Sequence, residues 1–279
     1  MKSATVRASS FALFFDCPKN WAARNLEGLF LPATAPARIG TAVHRSTAAY
    51  DESRVDGVDY LSIDDAADLV VETIRNPDEE VDWMGVNQDK AIAIGVGCHT
   101  KYCSEIGSLM EFTAVEQTLE SLTIDVPLSD DRVVELTLTG TLDRVRREAD
   151  EFMEETTAGE VPVFRERHGV CDVKTGARAV SQSPSRHKAQ LGVYELLASQ
   201  SGHDIDLPAQ ILALQTSSKY DAAVHEVPGA KEMLLGTPGD PGLLTFMADM
   251  IERETFYGNP SSMLCNEKYC PVYNSCKFR

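Results

Sequence analysis

The sequence lacks any hydrophobic run long enough to cross a membrane. Its most apolar stretch near the amino terminus, FALFF at 11–15, is too short for the core of a signal peptide, and no small-residue cleavage site follows it. Internal repeats are also missing, which argues against a repeat architecture. We therefore expect a cytoplasmic protein without a targeting segment.

Basic residues are scarce relative to acidic ones. The 279 residues include 26 Lys and Arg against 43 Asp and Glu, a formal net charge of −17, which by itself disfavours nonspecific binding to nucleic acid. The charges are unevenly placed, however, because residues 148–160 hold six acids and no base, whereas residues 164–190 hold six bases and two acids. A cleft focuses its local field, so residues 164–190 are a candidate for phosphate binding.

The hydrophobic patterns predict a mixed protein with a buried core. The apolar content of 43% and the charged content of 25% are ordinary for a globular chain. Period-two alternation favours two adjacent strands at 114–128 and 132–147, and further strands at 169–175 and 209–218. The predicted helices are 9–28, 41–53, 64–75, 88–110, 183–202 and 243–257, and the predicted loops and turns are 31–40, 148–160 and 236–242.

The stretch GVCDVKTG at 169–176 places two opposite charges on one side of a predicted strand. Asp172 and Lys174 are two positions apart and therefore share a face, and Asp143 ends the preceding strand in TGTLD. If the strands are neighbours, two carboxylates meet and raise each other's pKa. A hard divalent cation such as Mg²⁺ relieves that repulsion. A buried Asp172–Lys174 ion pair, or a surface pair on an edge strand, is the structural alternative.

Two further motifs lie before and after these charged residues in the sequence. His44 follows Gly40 near the start of a predicted helix, where a lone histidine is usually structural. Gln190 and Tyr194 occupy positions i and i+4 of the next helix and share a face. In this order the set resembles the PD-(D/E)XK nuclease superfamily, specifically its RecB-like exonuclease branch. The matching motifs are Gly40 with His44, Gly140 with Asp143, Asp172 with Lys174 and Thr175, and Gln190 with Tyr194.

The resemblance implies an α/β fold with a central mixed β-sheet flanked by helices, a restriction-endonuclease-like core. It implies that Mg²⁺ or Mn²⁺ is bound by His44, Asp143, Asp172 and the carbonyl of Val173. Lys174 is then expected to orient or activate the attacking water, and Gln190 and Tyr194 to position the DNA or the metal. Arg178, Arg186 and Lys188 flank this site and either hold phosphates or belong to a solvated loop.

Seven cysteines occupy positions 17, 98, 103, 171, 265, 270 and 276. Disulfides are not expected in a reducing compartment, and three cysteines in the last fifteen residues favour a metal or cluster site. Cys265, Cys270 and Cys276, with Cys17 in FFDCPKNW, resemble the iron–sulfur branch of RecB-like nucleases, which implies a 4Fe–4S cluster. A structural Zn²⁺ site with the same ligands and unligated surface thiols are the alternatives. We predict that Cys98, Cys103 and Cys171 are core residues.

These patterns predict a single nuclease domain over 1–279. Residues 1–30 and 258–279 would form the iron–sulfur lobe, 31–112 a helical region and 113–257 the nuclease core. The expected activity is a metal-dependent DNA exonuclease in recombination, repair or phage DNA metabolism, with double- or single-stranded DNA ends as its partner. A recombinase, a single-strand-binding protein and further copies of the chain are additional candidate partners. The alternatives are a catalytically silent DNA-end-binding or partner-recruiting protein with the same fold, and a CRISPR-adaptation nuclease.

Overall fold

The computed structural model describes residues 2–55, 57, 60–129, 131–156, 159–217, 219–237 and 239–279. Within them the helices are α1 (Phe11–Asp16), α2 (Pro18–Asn25), α3 (Ala35–Val55), α4 (Ile63–Arg75), α5 (Gln88–Tyr102), α6 (Lys188–Gln200), α7 (Ala230–Leu235) and α8 (Leu243–Arg253). The strands are β1 (Lys2–Arg7), β2 (Ala33–Thr34), β3 (Val81–Asp82), β4 (Glu111–Thr118), β5 (Leu122–Pro127), β6 (Val133–Thr139), β7 (Thr141–Thr156), β8 (Gly159–Gly176), β9 (Ala209–Gln215), β10 (Ala222–Val227), β11 (Gly236–Thr237) and β12 (Asp240–Pro241).

A five-stranded mixed sheet in the order β10-β9-β8-β7-β4 forms the centre of the fold. β8 and β9 run parallel, and the other neighbouring pairs are antiparallel. The predicted α/β class with a central mixed sheet flanked by helices is therefore confirmed. In the described part of the chain, no helix combines the length and the apolar character that crossing a membrane requires.

The two faces of the central sheet pack into two separate cores. Val170 and Ile211 belong to the core that α6, α7 and α8 cover. The alternate residues Cys171, Val173 and Leu212 belong to the core that α3, α4 and α5 cover. Since both faces are buried, β9 is a nearly continuous apolar run, AQILALQ, rather than an alternating one.

A second sheet of three strands, in the order β1-β6-β5, explains why the two long predicted strands were only partly right. The predicted 114–128 strand is divided into β4 and β5, and the predicted 132–147 strand into β6 and β7. The chain turns from one sheet to the other near Gly140, whose carbonyl accepts a hydrogen bond from the Leu119 amide at 3.1 Å. β1 joins β6 in parallel, a long-range pairing that no local pattern predicts.

Two helix boundaries differ from the prediction because of proline. Residues 31–40 are not a continuous loop, since α3 begins at Ala35 with Pro36 in its first turn, where the missing amide hydrogen of proline is tolerated. The predicted 9–28 helix is interrupted between Cys17 and Pro18 and becomes α1 and α2. Cys17 thereby adopts a non-helical backbone between two helices.

The sequence predicted an exposed loop for the acidic stretch 148–160, and this prediction is wrong for the residues that the structure describes. Residues 148–156 continue β7 and pair with β8 as far as Thr156 opposite Gly159, while 157 and 158 lie outside the described residues. The bases of β8 compensate the acids: Arg167 forms an ion pair with Asp150 at 3.2 Å. Arg165 and Arg167 also pair with Asp206, so part of the basic charge of 164–190 is neutralised within the protein.

Candidate active site

The candidate active site lies where β7 and β8 separate. Their backbone pairing begins at Arg144 opposite Cys171, and the next residue on each strand is an aspartate, Asp143 and Asp172. Beyond this pair, the amide of Val173 donates a hydrogen bond of 2.7 Å to Oδ2 of Asp143. The Asp143 carboxylate thus satisfies an amide that the backbone ladder no longer pairs, and both aspartates are buried at the same end of the sheet.

Asp172 connects two of the predicted motifs. Its Oδ2 lies 2.5 Å from Nζ of Lys174, and its Oδ1 accepts a hydrogen bond of 3.0 Å from Nε2 of Gln190. Nε2 of Gln190 also lies 3.1 Å from the hydroxyl of Tyr194. Burial raises the pKa of Asp172 to about 6, with Lys174 lowering it and Asp143 raising it further. A bound cation would stabilise the ionised form of this buried carboxylate.

His44 approaches the aspartates from α3. Its Nδ1 lies 3.4 Å from Oδ2 of Asp143. One turn earlier in α3, a Cβ on Gly40 would lie only 3.1 Å from Oγ1 of Thr175. The glycine therefore permits the close approach of α3 to the end of β8, which brings His44 to the site.

Gly140, in the second motif, also permits a close approach between two elements. A Cβ on this residue would lie 3.0 Å from Cε1 of Tyr194 and 3.3 Å from the Ala8 side chain. Both motif glycines are thus close-packing positions at which one motif touches another. The four motifs form one packed unit.

Glu116 is a site residue that the sequence reasoning missed. Ligand atoms of His44, Glu116 and Asp143 all lie within 4.8 Å of one another. Glu116 has a φ of 44°, a strained conformation for a non-glycine residue, in a strand whose register shifts after Phe112. Burial and the nearby Asp143 raise the pKa of Glu116 to about 7. In the sequence, the only signal was one acid within an alternating strand.

The donor set fits a hard divalent cation. Two carboxylates and an imidazole converge on one point, and oxygen with nitrogen donors suits Mg²⁺ or Mn²⁺. Asp172 adjoins this group, and its pKa responds to the charges of Asp143 and His44. Among the described residues it is not a member of the close three-residue cluster. The backbone amide of Val173 donates a hydrogen bond to Asp143. The Val173 carbonyl, which was predicted to bind the metal, stays a prediction.

Arg144 supports the site from inside the protein. Its fully buried guanidinium donates to the carbonyl of Asp143 at 2.7 Å and lies 3.4 Å from Oε1 of Glu116. It also donates to Oδ2 of Asp51 at 2.6 Å, an oxygen that the Tyr102 hydroxyl bonds as well. Because Asp51 belongs to α3, Arg144 ties the helix that carries His44 to the strands that carry the acids.

Comparison with known proteins assigns this arrangement to a family. A family model described as the PD-(D/E)XK nuclease superfamily matches residues 5–277. The chain belongs to this superfamily. Membership implies a nuclease, a metal-dependent hydrolase, and a nuclease of this family would bind DNA. No curated protein sequence matches the chain.

Two solved structures resemble the chain at 11% identity. SSO0001 aligns with a TM-score of 0.41 over 100% of this chain and 88% of that one. A "putative exonuclease" from Eubacterium rectale aligns with a TM-score of 0.48 over 94% of this chain and 87% of that one. The family assignment rests on the match to the superfamily and not on these two similarities.

Of the predicted phosphate-binding bases, Arg186 lines a pocket that Lys174 also lines. Arg178 and Arg186 are exposed on the segment between β8 and α6, and Lys188 is the first residue of α6. Within the described ranges, neither arginine has a carboxylate partner, in contrast to Arg165 and Arg167.

Four cysteines of this PD-(D/E)XK nuclease line a second, separate cavity. They are Cys17, Cys265, Cys270 and Cys276. Burial and the neighbouring sulfur atoms raise the pKa of Cys270, and the amide of Asn259 lies 3.5 Å from Sγ of Cys17. Four soft donors around one cavity fit an iron–sulfur cluster or Zn²⁺. Cys98, Cys103 and Cys171 are buried in the main cores instead.

Proposed function

We propose that the protein is a Mg²⁺- or Mn²⁺-dependent deoxyribonuclease that degrades DNA from its ends, an exonuclease of the RecB-like branch. The observation that carries the proposal is the convergence of His44, Asp143, the Asp172–Lys174 pair and Gln190 at the end of β8. The order of these motifs resembles that of the RecB-like branch, which supports the proposal.

The proposed roles of the site residues follow from their charges. We propose His44, Glu116, Asp143 and Asp172 as the residues that hold the cation. When bound, the cation lowers the pKa of a water molecule and stabilises the negative charge that builds on phosphorus. Lys174 cannot bind a cation, and we propose that its ammonium orients the attacking water and stabilises the charge on the phosphate. Gln190 holds the Asp172 carboxylate in the orientation that positions Lys174.

The terminal cysteines support the iron–sulfur part of the proposal. Cys17 comes from the amino-terminal segment and the other three from the carboxy-terminal one, as in iron–sulfur nucleases of the RecB-like branch, and all four line one cavity. We propose that residues 1–30 and 258–279 form a cluster-bearing lobe of a single nuclease domain. Zn²⁺ in the same cavity is the competing assignment, and metal analysis separates the two.

We also propose a cellular setting, which rests on the chemistry of the reaction. Degradation of DNA ends suits recombination, repair or phage DNA metabolism in a reducing cytoplasm. A CRISPR-adaptation nuclease would share the same chemistry with different partners. A catalytically silent end-binding protein would not need Asp143, Asp172 and Lys174 together.

The proposal is tested with anaerobically prepared protein and three DNA substrates. End-labelled linear duplex, end-labelled single strand and covalently closed circular duplex are incubated with Mg²⁺, with Mn²⁺, or with EDTA. We expect linear DNA to be shortened progressively from an end only when metal is present, and closed circles to stay intact. Metal-dependent cleavage of closed circles would overturn the exonuclease assignment. Binding of ends without cleavage in either metal would favour the silent end-binding protein.

A further inference from the structure

A pocket of about 220 Å³ is lined by Lys174 and by neither Asp143 nor Asp172. The end of β8, the segment that follows it and the residues just before α6 enclose the pocket. Its ionisable lining groups are Lys174, Arg186, His187 and His225, and no carboxylate of the described residues lines it. In a chain with a net charge of −17, the pocket presents the Arg186 guanidinium together with the Lys174 ammonium, which also pairs with Asp172.

Two of these groups are free to bind a ligand. In the part of the chain that the structure describes, Arg186 forms no ion pair and the His187 ring no hydrogen bond. The charges of Lys174 and Arg186 act on His187: burial, followed by these two charges, lowers its pKa to about 3. An anion in the pocket would accept hydrogen bonds from the Arg186 guanidinium and from the N–H of the His187 ring.

The other polar groups fix the walls of the pocket. Nε2 of His225 lies 3.0 Å from the carbonyl of Val180, so that the imidazole donates its proton there and anchors the segment after β8. Oγ of Ser183 lies 2.7 Å from Oγ of Ser185, at the turn that leads to Arg186. Hydroxyl and guanidinium donors beside a cationic cavity are suited to phosphate oxygens.

We propose that this pocket is a phosphate-binding subsite for a second phosphate of the strand being cleaved, next to the scissile phosphate at Lys174. The inference rests on the proposed nuclease function and deepens it, because Lys174 lines both the catalytic site and the pocket. The bound group is either the terminal phosphate monoester of a DNA end or the internal diester beside the scissile bond. Both would present anionic non-bridging oxygens to Arg186 and His187.

The test uses short duplexes that differ in one phosphate. One series carries a phosphate or a hydroxyl at each 5′ or 3′ end, and the other carries a single neutral methylphosphonate at successive internal linkages. Binding is measured by fluorescence anisotropy in Ca²⁺, and cleavage under single-turnover conditions in Mg²⁺. The variants are Arg186→Ala and His187→Ala. Lys219→Ala is the control, since it also removes one exposed positive charge but lies outside the pocket.

We expect one phosphate, terminal or internal, to strengthen binding by about tenfold in the native protein, as for a charge-assisted contact. Arg186→Ala and His187→Ala should reduce that ratio to within about twofold, and Lys219→Ala should leave it unchanged. A terminal effect identifies the monoester as the ligand, and an internal effect identifies the diester.

The inference is overturned if no single phosphate changes binding in the native protein, or if the same ratio persists in both pocket variants. Because binding is measured in Ca²⁺, loss of cleavage alone would count against the nuclease activity and not against the pocket. The two failures are therefore distinguishable.

Discussion

At the scale of single residues, Lys174 combines two roles that the sequence could not separate. It neutralises the buried Asp172 at 2.5 Å, which is the structural reason for a charged pair on a core strand. Its side chain also remains 26% exposed and lines the basic pocket. The ammonium is therefore held in place by Asp172 and is still accessible to a phosphate.

Lys174→Ala should lower the single-turnover cleavage rate by orders of magnitude and change DNA affinity in Ca²⁺ little. The reason is that the ammonium acts mainly where phosphate charge builds in the transition state. Lys174→Arg should rescue poorly, because a planar guanidinium does not replace a compact ammonium at that distance. If Lys174→Ala lost DNA binding but kept its rate, Lys174 would be only a phosphate anchor.

Glu116→Gln should weaken Mn²⁺ binding, measured by calorimetry, by about tenfold or more, because it removes one anionic ligand from a half-buried site. Glu111→Gln, in the same strand but exposed and paired with Arg147, is the control and should bind Mn²⁺ like the native protein. Equal Mn²⁺ affinity in the two variants would show that Glu116 does not bind the metal.

Some of the site residues can be predicted from the sequence, and one of them cannot. His44, Asp143, Asp172, Lys174, Gln190 and Tyr194 lie in short motifs whose spacing depends on local strand and helix geometry. Glu116 reaches the site only through a shifted register and a positive φ. Neither feature has a sequence pattern, so this ligand could be found only in three dimensions.

At the scale of elements, the Arg144–Asp51 ion pair joins α3 to the central sheet. Both side chains are fully buried, and Nε lies 2.6 Å from Oδ2. A buried charge without its partner is strongly unfavourable. The pair therefore holds His44 in register with the carboxylates, although neither Arg144 nor Asp51 belongs to the predicted metal-ligand set.

Arg144→Gln should destabilise the protein by about 3–5 kcal/mol, because it leaves Asp51 buried and unpaired. Adding Asp51→Asn should recover part of that loss, so that the two changes are not additive. Urea unfolding of both single variants and the double variant measures this. Arg147→Gln, at a partly exposed residue of the same strand, should cost less than about 1 kcal/mol. Strict additivity would show that the two charges do not depend on each other.

The elements that the sequence predicted wrongly are those decided by distant partners. Residues 148–160 look like an acidic loop in isolation, but residues 148–156 form a strand that pairs with β8, where Arg167 lies close to Asp150. β1 is a strand only because β6 accepts it in parallel. The strands around Asp143 and Asp172 were predicted correctly in kind because their apolar residues face a core on each side of the sheet.

At the scale of the whole molecule, the carboxy-terminal segment packs against the amino-terminal helices. The amide of Lys19 donates to the carbonyl of Tyr257 at 2.9 Å, and Arg24 donates to the carbonyl of Tyr269 at 2.5 Å. Closing a loop of nearly the whole chain costs entropy in the absence of a cross-link. A cluster held by Cys17 and the three last cysteines would supply one.

Protein purified without oxygen should be brown and contain iron and acid-labile sulfide with little zinc. Cys17→Ser, Cys270→Ser and Cys276→Ser should each remove the colour and lower solubility, because each takes away a thiolate that links the termini. Cys98→Ala should keep the iron, since Cys98 is a core residue. Stoichiometric zinc without iron would replace the cluster by a zinc site.

The most direct measurement of the central claim is the single-turnover rate of end-labelled DNA cleavage in Mg²⁺ for Asp172→Asn. This change removes the charge but keeps an oxygen that can accept the Gln190 hydrogen bond. Asp150→Asn, an exposed aspartate paired with Arg167, is the matched control. We expect native protein and Asp150→Asn to shorten the DNA, and Asp172→Asn to be folded, as judged by thermal unfolding, but slower by orders of magnitude. Near-native cleavage by Asp172→Asn would contradict the assignment of the catalytic site.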